Sequence, residues 1–142
     1  MSTTGVGKPI EILMVEDNPG DVELAREALA KAKVRNNLIV AEDEEEGLSL
    51  LRREERHEHS ELPDLILLDL NLPTIDGREL LAEIKSDPEL RQIPVVVLTS
   101  SQDEKDILQT YDLHANAYVV KPVGLNEFIE VIKAVERFWL SF

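Results

Sequence analysis

Residues 10–20 read Ile10-Glu11-Ile12-Leu13-Met14-Val15-Glu16-Asp17-Asn18-Pro19-Gly20, a mostly apolar run that stops abruptly on two acids. Such a run, too short for a helix and bounded by Asn-Pro-Gly, reads as a buried strand ending in a turn. The pattern recurs outward from it. Leu62 to Leu68 runs apolar into Asp69, Pro94 to Leu98 ends in Thr99-Ser100-Ser101, and Ala117 to Val120 is closed by Lys121-Pro122. Leu38 to Ala41 supplies the second strand in chain order. Helical stripes fall between: Val22, Ala25, Leu29 and Ala32 over 21–33, with Asp21 as cap or first-turn acid, then Leu48 and Leu51 over 44–56. Further helices are predicted over 78–85, 106–114 and 125–140, the last with Leu125, Phe128, Ile129, Ile132, Val135 and Trp139 as its core stripe. Five strands alternating with five helices predict βαβ crossovers and a parallel sheet covered on both faces, an α/β fold.

The composition sets bounds on function. A chain of 142 residues matches one ordinary domain, expected over 10–142 behind a flexible N-terminal arm at 1–9. Hydrophobic residues at 43% can build a core, whereas 15 Lys and Arg against 29 Asp and Glu leave a net charge of −14. That charge repels phosphate backbones and anionic lipid, which argues against direct nucleic-acid or membrane partners. There are no cysteines, so thiolate metal sites, Cys nucleophiles and disulfides are excluded. No apolar run approaches the roughly 20 residues that span a bilayer, and the expected location is the cytoplasm.

In an open α/β sheet, ligands bind beyond the carboxyl ends of the strands. The predicted strands end there on Glu16 and Asp17, Asp69, Thr99 and Lys121, so three carboxylates, a hydroxyl and an ammonium converge on one edge. Carboxylates that close repel one another unless a cation sits among them, and hard Mg2+ takes oxygen donors of this kind together with a phosphate oxygen. A lysine and a threonine hydroxyl suit the remaining phosphoryl oxygens. The chain has no GxxxxGK[ST], GxGxxG or HRD-like motif, so it is expected to accept phosphoryl groups rather than bind ATP. Asp69 is the candidate acceptor, since a carboxylate can attack phosphorus to form an aspartyl phosphate.

Val15-Glu16-Asp17-Asn18, Leu67-Leu68-Asp69-Leu70-Asn71-Leu72-Pro73, Asp76-Gly77, Leu98-Thr99-Ser100 and Tyr118-Val119-Val120-Lys121-Pro122 together resemble the receiver domain of two-component response regulators, over about residues 10 to 140. The resemblance implies a flavodoxin-like, doubly wound five-stranded sheet of order 2-1-3-4-5 in a single domain. It implies Asp69 as phosphoacceptor, Asp17 as direct Mg2+ ligand, Glu16 acting through water, and the backbone carbonyl of Asn71 completing the protein's share of the metal shell. Thr99 and Lys121 would each hold a phosphoryl oxygen. Thr99 would then move and Tyr118 turn inward, remodelling the face made by the helix at 106–114, the strand at 117–120 and the last helix. The donor implied is a histidine kinase. Tyr118 to Val123, with Glu136-Arg137-Phe138-Trp139-Leu140, narrows the resemblance to stand-alone regulators that serve cyanobacterial phytochrome kinases. Two positions depart from the commonest receiver pattern: Glu16 stands where many members have Asp, and Ser100 where Ala or Gly is usual.

Blander readings compete at several positions. Acids at strand ends are often only solvated turn residues, Thr99-Ser100 alone reads as a helix cap, and Lys121 alone as a surface lysine. The run Glu42 to Glu46 is expected to be a solvated helix start, and His57, His59 and His114 to be spectators. All six aromatics fall in the last third of the chain. Val131, Phe138 and Phe142 lie off the core stripe of the last helix and suggest a homodimer face. Two other function classes compete with this reading. A phosphatase of haloacid-dehalogenase type needs an Asp two residues after its nucleophile, where this chain has Asn71, and a phosphorylation-independent docking module has no need of Asp69, Thr99 and Lys121 together.

Overall fold

In a computed structural model of the chain, residues 9–31, 35–52, 62–69, 77–99, 117–120 and 124–138 are described. The predicted helix over 106–114 and most of the N-terminal arm lie outside them. Five strands, β1 (Ile10–Val15), β2 (Asn36–Ala41), β3 (Leu65–Asp69), β4 (Val95–Thr99) and β5 (Ala117–Val120), form one sheet of order β2-β1-β3-β4-β5 with parallel pairs. This is the order the resemblance implies. The described helices are α1 (Pro19–Ala30), α2 (Glu44–Leu51), α3 (Gly77–Ser86) and the last helix α4 (Leu125–Phe138).

Side chains alternate across the sheet and sort the core into two layers. Leu13, Val15, Ile66, Leu68, Val95 and Val97 pack with Leu51 of α2 and Leu80, Leu81 and Ile84 of α3. Ile12, Met14, Leu65, Leu67, Val96 and Leu98 pack with Ala25, Ala28 and Leu29 of α1 and with Phe128 and Ile132 of α4. β3 and β4 are buried at every residue, as a parallel sheet covered on both faces requires. Each such Leu, Ile or Val contributes about 1.5–3 kcal/mol by leaving water. Helix α2 approaches the sheet closely at Gly47, where a Cβ would stand 3.2 Å from Val15 Cγ2.

Several boundaries differ from expectation, each for a local reason. Helix α1 starts at Pro19 rather than Asp21, because Asn18, not Asp21, caps it and Pro19 occupies a first-turn position that needs no N–H. Strand β2 starts at Asn36, two residues before its apolar stretch, because Asn36 and Asn37 pair with Ile10 and Glu11 of β1. Strand β3 starts at Leu65 and includes Asp69. Pro63 and Asp64 precede it, and Asp64 is tied instead to Glu11 by two hydrogen bonds. No helix among the described residues is long and apolar enough to cross a membrane.

Candidate functional site

Strand register places the acids. Val15 of β1 lies beside Leu68 of β3, so the residues that follow, Glu16 and Asp69, emerge side by side from adjacent strands. Asp69 in turn pairs with Leu98, which brings Thr99 to the same edge. One carboxylate oxygen from each of Glu16, Asp17 and Asp69 lies within 4.8 Å of the others. Glu16 and Asp69 are 1% and 2% exposed and Thr99 is fully buried, whereas Asp17 faces solvent. The cluster therefore joins two buried acids to one that water reaches.

The turn after β1 has its own order. Glu16 N–H donates to Ala41 O at 2.9 Å, which continues the ladder with β2 past the end of β1. Glu16 Oε2 accepts the Asn18 N–H at 3.3 Å, and Asn18 Oδ1 accepts the N–H groups of Gly20 and Asp21 at 2.8 and 3.1 Å. The clustered acids Glu16 and Asp17 thus run directly into the cap of α1. Asn18, expected from the sequence to belong to a turn, is instead the cap of α1; an Asn before Pro marks a helix start as much as a turn.

The donor set fits a hard divalent cation. It offers three carboxylates and neither imidazole nor thiolate, the oxygen chemistry that Mg2+ and Mn2+ prefer. Among the described residues no other group of three His, Cys, Asp or Glu side chains comes together in this way. The run Glu42 to Glu46 does not: Asp43 caps α2 by accepting the Glu46 N–H at 2.9 Å, and Glu42 and Glu45 are exposed. Tyr118 is half-buried against the layer that carries α2 and α3. Asn71, Ser100, Lys121, Phe142 and the three histidines lie outside the described residues.

The receiver-domain family model, described as the response regulator receiver domain, matches residues 12–133. The chain belongs to this family. It is 44% identical over 133 residues to the response regulator Rcp1 of Synechocystis, covering 94% of this chain and 90% of Rcp1. It is similar in structure to the phosphorylated cyanobacterial phytochrome response regulator RcpA, with a TM-score of 0.81, 48% identity and coverage of 94% and 96% of the two chains. The Mn2+-bound form of Rcp1 gives a TM-score of 0.80 at 44% identity, with the same coverage. Receiver domains are phosphoacceptors of two-component systems that bind Mg2+ or Mn2+ at an acidic pocket, and the cluster of Glu16, Asp17 and Asp69 in this chain is consistent with such a pocket.

Proposed function

We propose that this receiver takes a phosphoryl group from a phosphohistidine onto Asp69, with Mg2+ held by Asp17 and Asp69 directly, by Glu16 through water and by the backbone carbonyl of Asn71. The observation that carries the reading is the convergence of the three carboxylates within 4.8 Å at the carboxyl edge of the sheet. A carboxylate oxygen of Asp69 attacks phosphorus in line; the P–N bond of the phosphohistidine breaks, and its electron pair stays on the imidazole nitrogen, which takes up a proton. Bound Mg2+ supplies positive charge to the phosphoryl oxygens and offsets the repulsion among the acids. Burial of Asp69 keeps the nucleophile oriented and its surroundings low in dielectric. Thr99 donates its hydroxyl to one phosphoryl oxygen and Lys121 neutralises another. Hydrolysis of the aspartyl phosphate, assisted by the same groups, resets the domain, which makes it a self-resetting phosphoacceptor rather than an enzyme acting on others.

The partner is a histidine kinase of phytochrome type, a reading supported by the similarity to Rcp1 and to the phytochrome regulator RcpA. Phosphorylation draws Thr99 toward the phosphoryl group and Tyr118 inward, and the signal leaves by protein contacts through the face of β5 and α4 and the segment at 106–114. Those contacts include a second copy of the chain, through Val131, Phe138 and Phe142, in the cytoplasm. Val131 is half-buried against the α1–α4 layer, so only part of its side chain is available to a partner. Incubating the protein with an autophosphorylated phytochrome histidine kinase carrying radiolabelled phosphate tests the assignment. Label should pass to the wild type and not to Asp69→Asn; label on the Asp69→Asn variant would place the acceptor elsewhere. Sedimentation with and without phosphorylation tests the dimer, which a monomer in both states would refute.

A further inference from the structure

We infer that Asn18 is a positioning residue for the cation pocket: the cap it forms on α1 holds Glu16 in place, and cation binding and the first turn of α1 therefore stabilise each other. The inference rests on the reading of Glu16, Asp17 and Asp69 as the cation site. Glu16 is buried immediately after β1, and its side chain has one more rotatable bond than an aspartate would, so its carboxylate must be fixed by its neighbours. One hydrogen bond that fixes it runs from the Asn18 N–H to Oε2 at 3.3 Å. A bond of that length is weak by itself and is as firm as the group that donates it.

That donor is held from three sides. Pro19 restricts Asn18 to extended backbone, and Asn18 lies there, at φ −89° and ψ 114°. Asn18 Oδ1 takes the N–H groups of Gly20 and Asp21, and Asn18 O takes the Val22 N–H at 3.1 Å. The side chain lies over the first turn, where a Cβ on Gly20 would stand 3.1 Å from Asn18 Oδ1. The chain of bonds therefore runs from the buried acid, through one backbone N–H, into the first turn of the helix. A cation that fixes Glu16 also fixes Asn18, and by reciprocity a frayed cap loosens Glu16.

Two measurements on wild type, Asn18→Ala and Asn18→Ser test this. Mn2+ affinity is read from the electron paramagnetic resonance of the free ion, and amide hydrogen exchange is read with and without Mg2+. Loss of the cap in Asn18→Ala should raise the Mn2+ dissociation constant about 10-fold, the lower end for a residue that orients a ligand. Ser retains a neutral capping oxygen, so Asn18→Ser should return the constant to within about 2-fold of wild type. In the wild type Mg2+ should slow exchange at Gly20, Asp21 and Val22, and in Asn18→Ala it should not. An unchanged Mn2+ constant in Asn18→Ala that keeps the wild-type circular dichroism, or exchange at those amides indifferent to Mg2+ in the wild type, would overturn the positioning role while leaving the cation site standing. No Mn2+ binding by the wild type would remove the cation site itself.

Discussion

The two ends of the same sheet treat acidic residues in opposite ways. At the amino-terminal edge Glu11 and Asp64 are tied across β1 and β3: Glu11 N–H donates to Asp64 Oδ2 at 2.9 Å and Asp64 N–H to Glu11 O at 2.6 Å, while Asn37 Nδ2 donates to Glu11 Oε1 at 3.0 Å. These bonds are exposed, and water can solvate the charges. At the carboxyl-terminal edge Glu16 and Asp69 are buried with Asp17 beside them. Burying like charges together costs free energy, and a fold keeps such an arrangement where a cation or reaction uses it. Acids at one end hold the sheet together; at the other they gather into a cluster that suits a cation.

Neutralising one acid at each end should separate the two roles most widely. Asp69→Asn is expected to lose all phosphoryl acceptance, and Asp64→Asn to keep it, both read by intact mass after acetyl phosphate. Loss in both would mean that the edges do not differ in function. The next largest effect lies in the layer beneath the site, where Leu67 is fully buried. Leu67→Ala should cost about 3 kcal/mol in urea unfolding, through lost burial and the cavity left. Stability should then divide the edges by sign. Without metal, Asp69→Asn relieves repulsion and should raise Tm by a few degrees, whereas Asp64→Ala leaves the Glu11 N–H without its acceptor and should cost about 1 kcal/mol. A fall in both would show that the carboxyl-edge acids also serve as structural ties.

The smallest effect tests a cation rather than an acid. Lys85 Nζ donates to the carbonyls of Arg91 and Ile93 at 3.1 and 2.9 Å, tying the end of α3 to the turn that leads into β4. Burial pushes its pKa below the ordinary 10.5. Between that lowered value and 10.5 the unfolded chain binds more protons than the folded one, so stability should rise slightly with pH across this alkaline window. Lys85→Met should abolish that rise and cost about 1 kcal/mol at neutral pH, as followed by thermal unfolding at a series of pH values.

Much of this was legible in the sequence, because the cues were local. Apolar runs that stop on Asp17, Asp69 and Thr99 located β1, β3 and β4, and their alternation with helical stripes gave the parallel class. The strand order came from the resemblance and not from any pattern in the residues, since periodicity does not say which strands adjoin. What the sequence reading missed depends on a competition between equivalent signals. Asn18-Pro19-Gly20 serves equally as a turn or as a cap with Pro in the first turn, and only the helix behind it decides. Asn36 and Asn37 are poor strand formers by composition, yet backbone pairing with β1 recruits them. Lys85 sits in the last turn of α3, and its two carbonyl partners come from the turn before β4, which no local pattern in the sequence shows.

The central claim is that the buried carboxylates form a cation-assisted phosphoacceptor. Its most direct test is the intact mass of the wild type after brief incubation with acetyl phosphate, with Mg2+ and with the metal chelated. A single phosphoryl adduct that appears only with Mg2+, and that vanishes in Asp69→Asn, is the predicted result. An adduct of the same yield without metal, or no adduct on folded protein that demonstrably binds Mn2+, would contradict it.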